Sequence, residues 1–158
     1  MINESIERLR KKTGTGKISP ELIKRASRVL AANNVDFIPM GRVFVTGLGD
    51  VIERAEACGD GVEPMRPEIT KCVMELKANA TMFGFDLIGD MSAMLLSLIE
   101  TTKKIDRNLV SLLNVYHKSC KAMVSTKMSG DGGEMGKEIL AEFTAACDRY
   151  ERRRRSIA

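Results

Sequence analysis

Hydrophobic residues recur along most of this chain at intervals of three and four, the spacing that places them on one face of an α-helix. Pro67-Glu68 opens one such stripe (Ile69, Cys72, Val73, Leu76, Ala80, Phe83), and Gly84 stops or bends it. A second stripe (Leu87, Ile88, Met91, Met94, Leu95, Leu98, Ile99) predicts a helix over 86–104. A third (Leu109, Leu112, Leu113, Tyr116, Cys120, Met123, Val124) predicts one over 106–128, with Asp106 as N-cap. The loop Ser129-Gly130-Asp131-Gly132-Gly133 follows, then a helix over 134–154 carrying Ile139, Leu140, Phe143, Ala146, Cys147 and Tyr150 inward.

The N-terminal third is less regular. Residues 1–17 hold one short amphipathic pattern and the breaker Gly14-Thr15-Gly16, read as a flexible arm. Ser19-Pro20-Glu21 is a helix start, with Ser as N-cap and Pro in the first turn, and Asn33-Asn34 ends that helix. Residues 35–60 mix strand-like Val43 and Val45 with Gly41, Gly47 and Gly49; a helix over 40–57 fits best, and 59–67 reads as a loop. Short links between long amphipathic helices imply antiparallel neighbours. The expected fold is all-α: an up-and-down antiparallel four-helix bundle with additional N-terminal helices, as a single domain over 18–158.

Composition agrees with packed helices. Aromatic residues are few, with five Phe, two Tyr and no Trp, so ten Met and many aliphatic residues must fill the core. The net charge of +4 equals the contribution of Arg152-Arg153-Arg154-Arg155, which leaves a near-neutral body that gives no argument for nucleic-acid binding. That run reads most simply as a solvated, frayed helix end whose cations face the negative pole of the helix dipole. No apolar stretch is long enough to span a bilayer and the first residues lack a signal-peptide core, so the expected setting is the cytoplasm. The four cysteines lie far apart without CxxC spacing, which suits reduced thiols and offers no metal site.

Candidate chemistry is sparse. His117, the single histidine, sits at the edge of its apolar stripe with Asn114 and Lys121 on its outer side. It reads as a boundary histidine satisfied by hydrogen bonding, or as an exposed imidazole that accepts a phosphoryl group beside the Lys121 cation. Gly14-Thr15-Gly16-Lys17 lacks the spacing and preceding strand of a phosphate loop. With one histidine, no metal cluster and no nucleophile motif, the inventory points away from an enzyme, and no cofactor is called for.

One segment carries a resemblance. Met74–Glu100, MELKANATMFGFDLIGDMSAMLLSLIE, resembles the signature of histidine-phosphotransfer (Hpt) domains, of the type H-x-L-K-G-x-x-x-x-Φ-G with Φ apolar. Leu76, Lys77, Phe83 and Gly84 fall on the expected places, and Ile99-Glu100 closes the following helix. Met74 stands where the family has its phospho-accepting histidine, and Ala78 where it has glycine. The resemblance implies a bundle that docks a receiver or histidine-kinase domain, with Lys77 as the lysine beside the phosphate site and no acceptor at Met74. On a helical wheel Met74, Lys77 and Thr81 fall outside or at the edge of the buried stripe, so they form the expected partner-binding face. The expected function is a phosphorelay or chemotaxis-type signalling adaptor. Two alternatives stand beside it: a dimerising helical scaffold unrelated to phosphorelay, using a Met-rich surface on 86–100, and phosphotransfer through His117.

Overall fold

A computed structural model of the chain describes residues 19–21, 24–25 and 36–157. Its contacts divide into two units, Met1–Val35 and Asp36–Ala158. In the first, Pro20, Glu21, Lys24 and Arg25 are helical and Ser19 precedes them, in agreement with a helix start at Ser19-Pro20. The expected arm over 1–17 and the helix end at Asn33-Asn34 lie outside the described residues.

The second unit is built from five helices: α1 (Phe37–Ala57), α2 (Arg66–Met82), α3 (Asp86–Thr101), α4 (Arg107–Ser125) and α5 (Gly133–Ile157), with a single 3-10 turn at Glu63–Met65. There is no strand among the described residues, so the all-α expectation holds. Helix α1 begins three residues ahead of the expected start. Asp36 is its cap: the carboxylate accepts a hydrogen bond from the Ile38 amide at 3.0 Å and satisfies a donor that the helix leaves open. Asp106 does the same for α4 through the Leu109 amide at 2.8 Å.

Helix α2 ends at Gly84, which adopts φ +74°. The Gly84 amide donates to the Thr81 carbonyl and the Phe85 amide to the Ala80 carbonyl, the paired closure of a Schellman end. Helix α4 ends the same way, with Lys127 in the left-handed position at φ +55°. Helix α3 stops at Thr101, short of the expected Lys104, because the Arg66 guanidinium takes the Ile99 and Thr102 carbonyls and Arg154 takes that of Thr101. Side chains have replaced the next helical turn as partners for those carbonyls.

Helix α1 packs against α2 and α4, α2 against α3, and α5 against α3 and α4. Asn114 on α4 reaches Glu56 near the end of α1, Arg107 pairs with Asp60 beyond it, and His117 lies over Gly49. Helices α1 and α4 therefore run antiparallel. The core includes Leu48, Ile69, Leu76, Ile88, Met91, Leu95, Leu109, Leu113, Tyr116 and Phe143, all fully buried or nearly so. Most positions assigned inward by periodicity are buried; Cys72, Phe83, Met94, Ile139, Leu140 and Ala146 pack against the core while partly exposed. The loop between α4 and α5 is pinned to the α2–α3 turn, with the Gly130 amide on the Gly84 carbonyl at 2.5 Å and the Leu87 amide on the Gly130 carbonyl at 3.1 Å.

Candidate functional site

The three residues expected to form a partner face come together on the structure. Met74, Lys77, Ala78, Thr81 and Met82 of α2, with Leu96 of α3, line a shallow groove of about 520 Å³. Met74 is 56% exposed and Met82 69% exposed, unusual values for large apolar side chains in a helix that buries Ile69, Val73, Leu76 and Ala80 on its other side. The chain's local pattern produces this. Four buried positions at 3–4 spacing turn one face of α2 inward, and residues 74, 81 and 82 are left outside that stripe. Thr81 leans on α3: a Cβ at Gly89 would lie 2.5 Å from the Thr81 hydroxyl oxygen, so glycine there permits the close approach of the two helices. Lys77, half-buried, places the one cation of the groove beside the two methionines.

Periodicity had pointed to Met74, Lys77 and Thr81. It had not pointed to Met82, Leu96 or Gly89. Met82 was legible as a further residue outside the buried stripe of Ile69, Val73, Leu76 and Ala80, next to Thr81. Leu96 and Gly89 depend on how α3 crosses α2, which no local pattern encodes.

His117 and Lys121 lie in a different place, between α4 and α1. A cleft of about 520 Å³ is lined there by Arg42, Thr46, Gly49, Asp50 and Glu53 of α1 and by His117, Lys121 and Ser125 of α4. The antiparallel pairing puts Arg42 and Lys121 toward one end, and Glu53 toward the other. Sequence reading missed the α1 contributors, although Arg42, Thr46, Asp50 and Glu53 recur at intervals of four, four and three. His117 is half-buried, and its Nε2 lies 2.9 Å from where a Cβ on Gly49 would stand. Burial holds the imidazole pKa below its ordinary value, and the Lys121 and Lys118 cations act in the same direction; a hydrogen bond to the Val45 backbone opposes them. The boundary role and the cleft position thus coexist in one residue.

The Met-rich helix does not present a methionine surface. Met91 is fully buried and Met94 packs against the core, and none of the exposed large apolar side chains among the described residues belongs to α3. The scaffold alternative loses its expected contact face for that reason. The two buried thiols are quiet, since burial pushes Cys120 up to about 12 and Cys147 up to about 11; Cys58 is exposed, and all four cysteines are free. Among the described residues no three His, Cys, Asp or Glu side chains converge as metal ligands. No described helix is long and apolar enough to cross a membrane. Comparison with protein-family models, curated proteins and solved structures gives no match.

Proposed function

We propose that this protein is an Hpt-like signalling adaptor, built on an antiparallel four-helix bundle, that docks a receiver or histidine-kinase domain through the α2–α3 groove. The observation that carries the reading is the coincidence of two independent features on one face. The segment resembling the Hpt signature falls on α2 and α3, and Met74, at its acceptor position, is an exposed apolar residue that lines the groove together with Lys77. Methionine cannot take a phosphoryl group, but its unbranched thioether adapts to varied partner surfaces, and an exposed apolar cluster with a polar rim is the usual composition of a contact patch. The adaptor would occupy a partner's docking site without receiving phosphate there.

A pull-down against receiver and histidine-kinase domains from the same cell tests this, with Met74→Glu, Lys77→Glu as the paired variant. Retention by the wild-type chain and loss in the variant supports the reading. Absence of binding to any of these domains removes it.

The second reading is phosphotransfer through His117. It is favoured by a half-buried imidazole held toward the neutral, nucleophilic form beside Lys121. The phosphoryl group would pass from a receiver aspartyl phosphate to an imidazole nitrogen, which regenerates the carboxylate and releases the imidazole proton. A Cβ on Gly49 would stand 2.9 Å from Nε2, so glycine there leaves the ring its place in the cleft. Incubation with a phosphorylated receiver should yield acid-labile label in the wild type and none in His117→Ala; an unlabelled wild type eliminates transfer and leaves the adaptor.

A further inference from the structure

At the end of the unit where α3 gives way to α4, a separate pocket of about 240 Å³ is lined by Thr101, Thr102, Lys103, Lys104, Asp106, Tyr150, Arg154 and Arg155. It shares no residue with either cleft described above. Four cations and one carboxylate face it, and that carboxylate is already engaged, since Asp106 caps α4 through the Leu109 amide. Arg154 holds the Thr101 carbonyl at 2.6 Å, and Arg155 pairs with Glu151. Lys103 and Lys104 are exposed, and neither is in an ion pair among the described residues.

Two of the residues that line this pocket carry buried hydroxyls without a partner. Thr102 is 6% exposed and Tyr150 5% exposed, and the two hydroxyls are the buried side-chain oxygens without a hydrogen-bond partner. They approach one another but do not reach hydrogen-bonding geometry. A buried hydroxyl left without a partner costs free energy, which folding tolerates where a ligand supplies what the protein does not. Burial also pushes the Tyr150 phenol upward, so it remains a donor at neutral pH.

From this pocket we infer a binding site for a phosphate group, free or carried on a larger molecule, with Lys103 and Lys104 at the rim and Thr102 and Tyr150 as buried donors. Phosphate matches on three counts. It presents acceptor oxygens to the two hydroxyls, its charge suits unpaired ammonium groups, and its size suits a small pocket. The arginine run is thereby divided: Arg154 and Arg155 belong to the pocket, whereas Arg152 and Arg153 do not line it.

The test is a titration of the full chain with inorganic phosphate, followed by NMR, and in parallel a flotation assay with phosphatidylcholine vesicles with and without phosphatidic acid. Tyr150→Phe should weaken binding roughly tenfold through loss of one charge-assisted hydrogen bond, and Lys103→Gln, Lys104→Gln at least as much. The Tyr150→Phe Tm without phosphate should be no lower than that of the wild type, because the substitution removes a buried hydroxyl that has no partner. Arg152→Ala, Arg153→Ala should bind as the wild type does. Binding of phosphate but not of vesicles identifies a soluble ligand; binding of phosphatidic acid vesicles alone identifies a headgroup. Binding of neither probe overturns the site, as does binding that follows Arg152 and Arg153 and ignores Tyr150.

Discussion

Ser92 and Tyr116 form a buried hydrogen-bonded pair of side chains in the core, with their oxygens 2.5 Å apart and Ser92 also placed on the Ile88 carbonyl. The two partners are not equivalent. Tyr116→Phe leaves Ser92 its backbone acceptor, whereas Ser92→Ala leaves a fully buried phenol with only the Cys120 thiol nearby. Urea denaturation should show Ser92→Ala costing about 1–3 kcal/mol and Tyr116→Phe less. The cysteines give a second residue-scale expectation. Cys58 is exposed and should react with a thiol reagent at pH 8 within the mixing period, Cys72 more slowly, and Cys120 and Cys147 only on unfolding, since burial keeps both protonated and shielded. His117 gives a third. Its folded pKa lies below the ordinary 6.5, so the unfolded chain binds the proton more readily and stability falls as pH drops from above 6.5 toward the lower folded value. Thermal denaturation across pH 5–7.5 should show His117→Gln with a flatter profile than wild type. Glu63 and Glu68, held low by their arginine partners, lose their contribution further down, in the carboxylate range.

Among the elements, helix termini were the most legible feature and also the least accurately bounded. The start of α4 at Asp106 and the stop of α2 at Gly84 followed from cap chemistry that is local in sequence. The three-residue extension of α1 over Phe37, Ile38 and Pro39 was not read, although Asp36 offers the cap; Pro39 falls in the first turn, where its missing amide breaks no intrahelical bond. Phe37, Ile38, Val45, Leu48, Val51 and Ile52 are buried along α1, and Phe37 stacks on Phe83 with ring centroids 5.7 Å apart. The early end of α3 depends on Arg66 and Arg154, which arrive from distant parts of the chain. Two left-handed positions test the closure of α2 and α4. Gly84→Ala should cost about 1 kcal/mol, and Lys127→Gly should gain a few tenths to about 1 kcal/mol by removing a strained side chain at an otherwise identical helix end. Opposite shifts in the denaturation midpoint would be expected, and shifts of the same sign would show that these residues do not set the closures.

For the whole molecule, the helical class and most of the core were legible because 3.6-residue periodicity reports burial directly. Which helices touch was not. Sequence spacing placed Met74, Lys77 and Thr81 on one face of α2, but only the crossing of α2 and α3, made close by Gly89, adds Leu96 and turns that face into a groove. The same limit hid the partners of His117, which belong to α1 some seventy residues earlier, and the pocket shared by the α3–α4 turn and α5. Exposed large apolar side chains occur on α1, α2, α4 and α5 among the described residues, and α2 is the helix that carries two of them, Met74 and Met82, both within the segment that resembles the Hpt signature. The most direct test of a docking role is an NMR titration of the isotope-labelled chain with receiver domains from the same cell. The adaptor account predicts that one of them perturbs Met74, Lys77, Thr81, Met82 and Leu96 saturably while Val45, Gly49 and His117 stay in place. Perturbation centred on the α1–α4 cleft, or no saturable shift with any receiver, would contradict it.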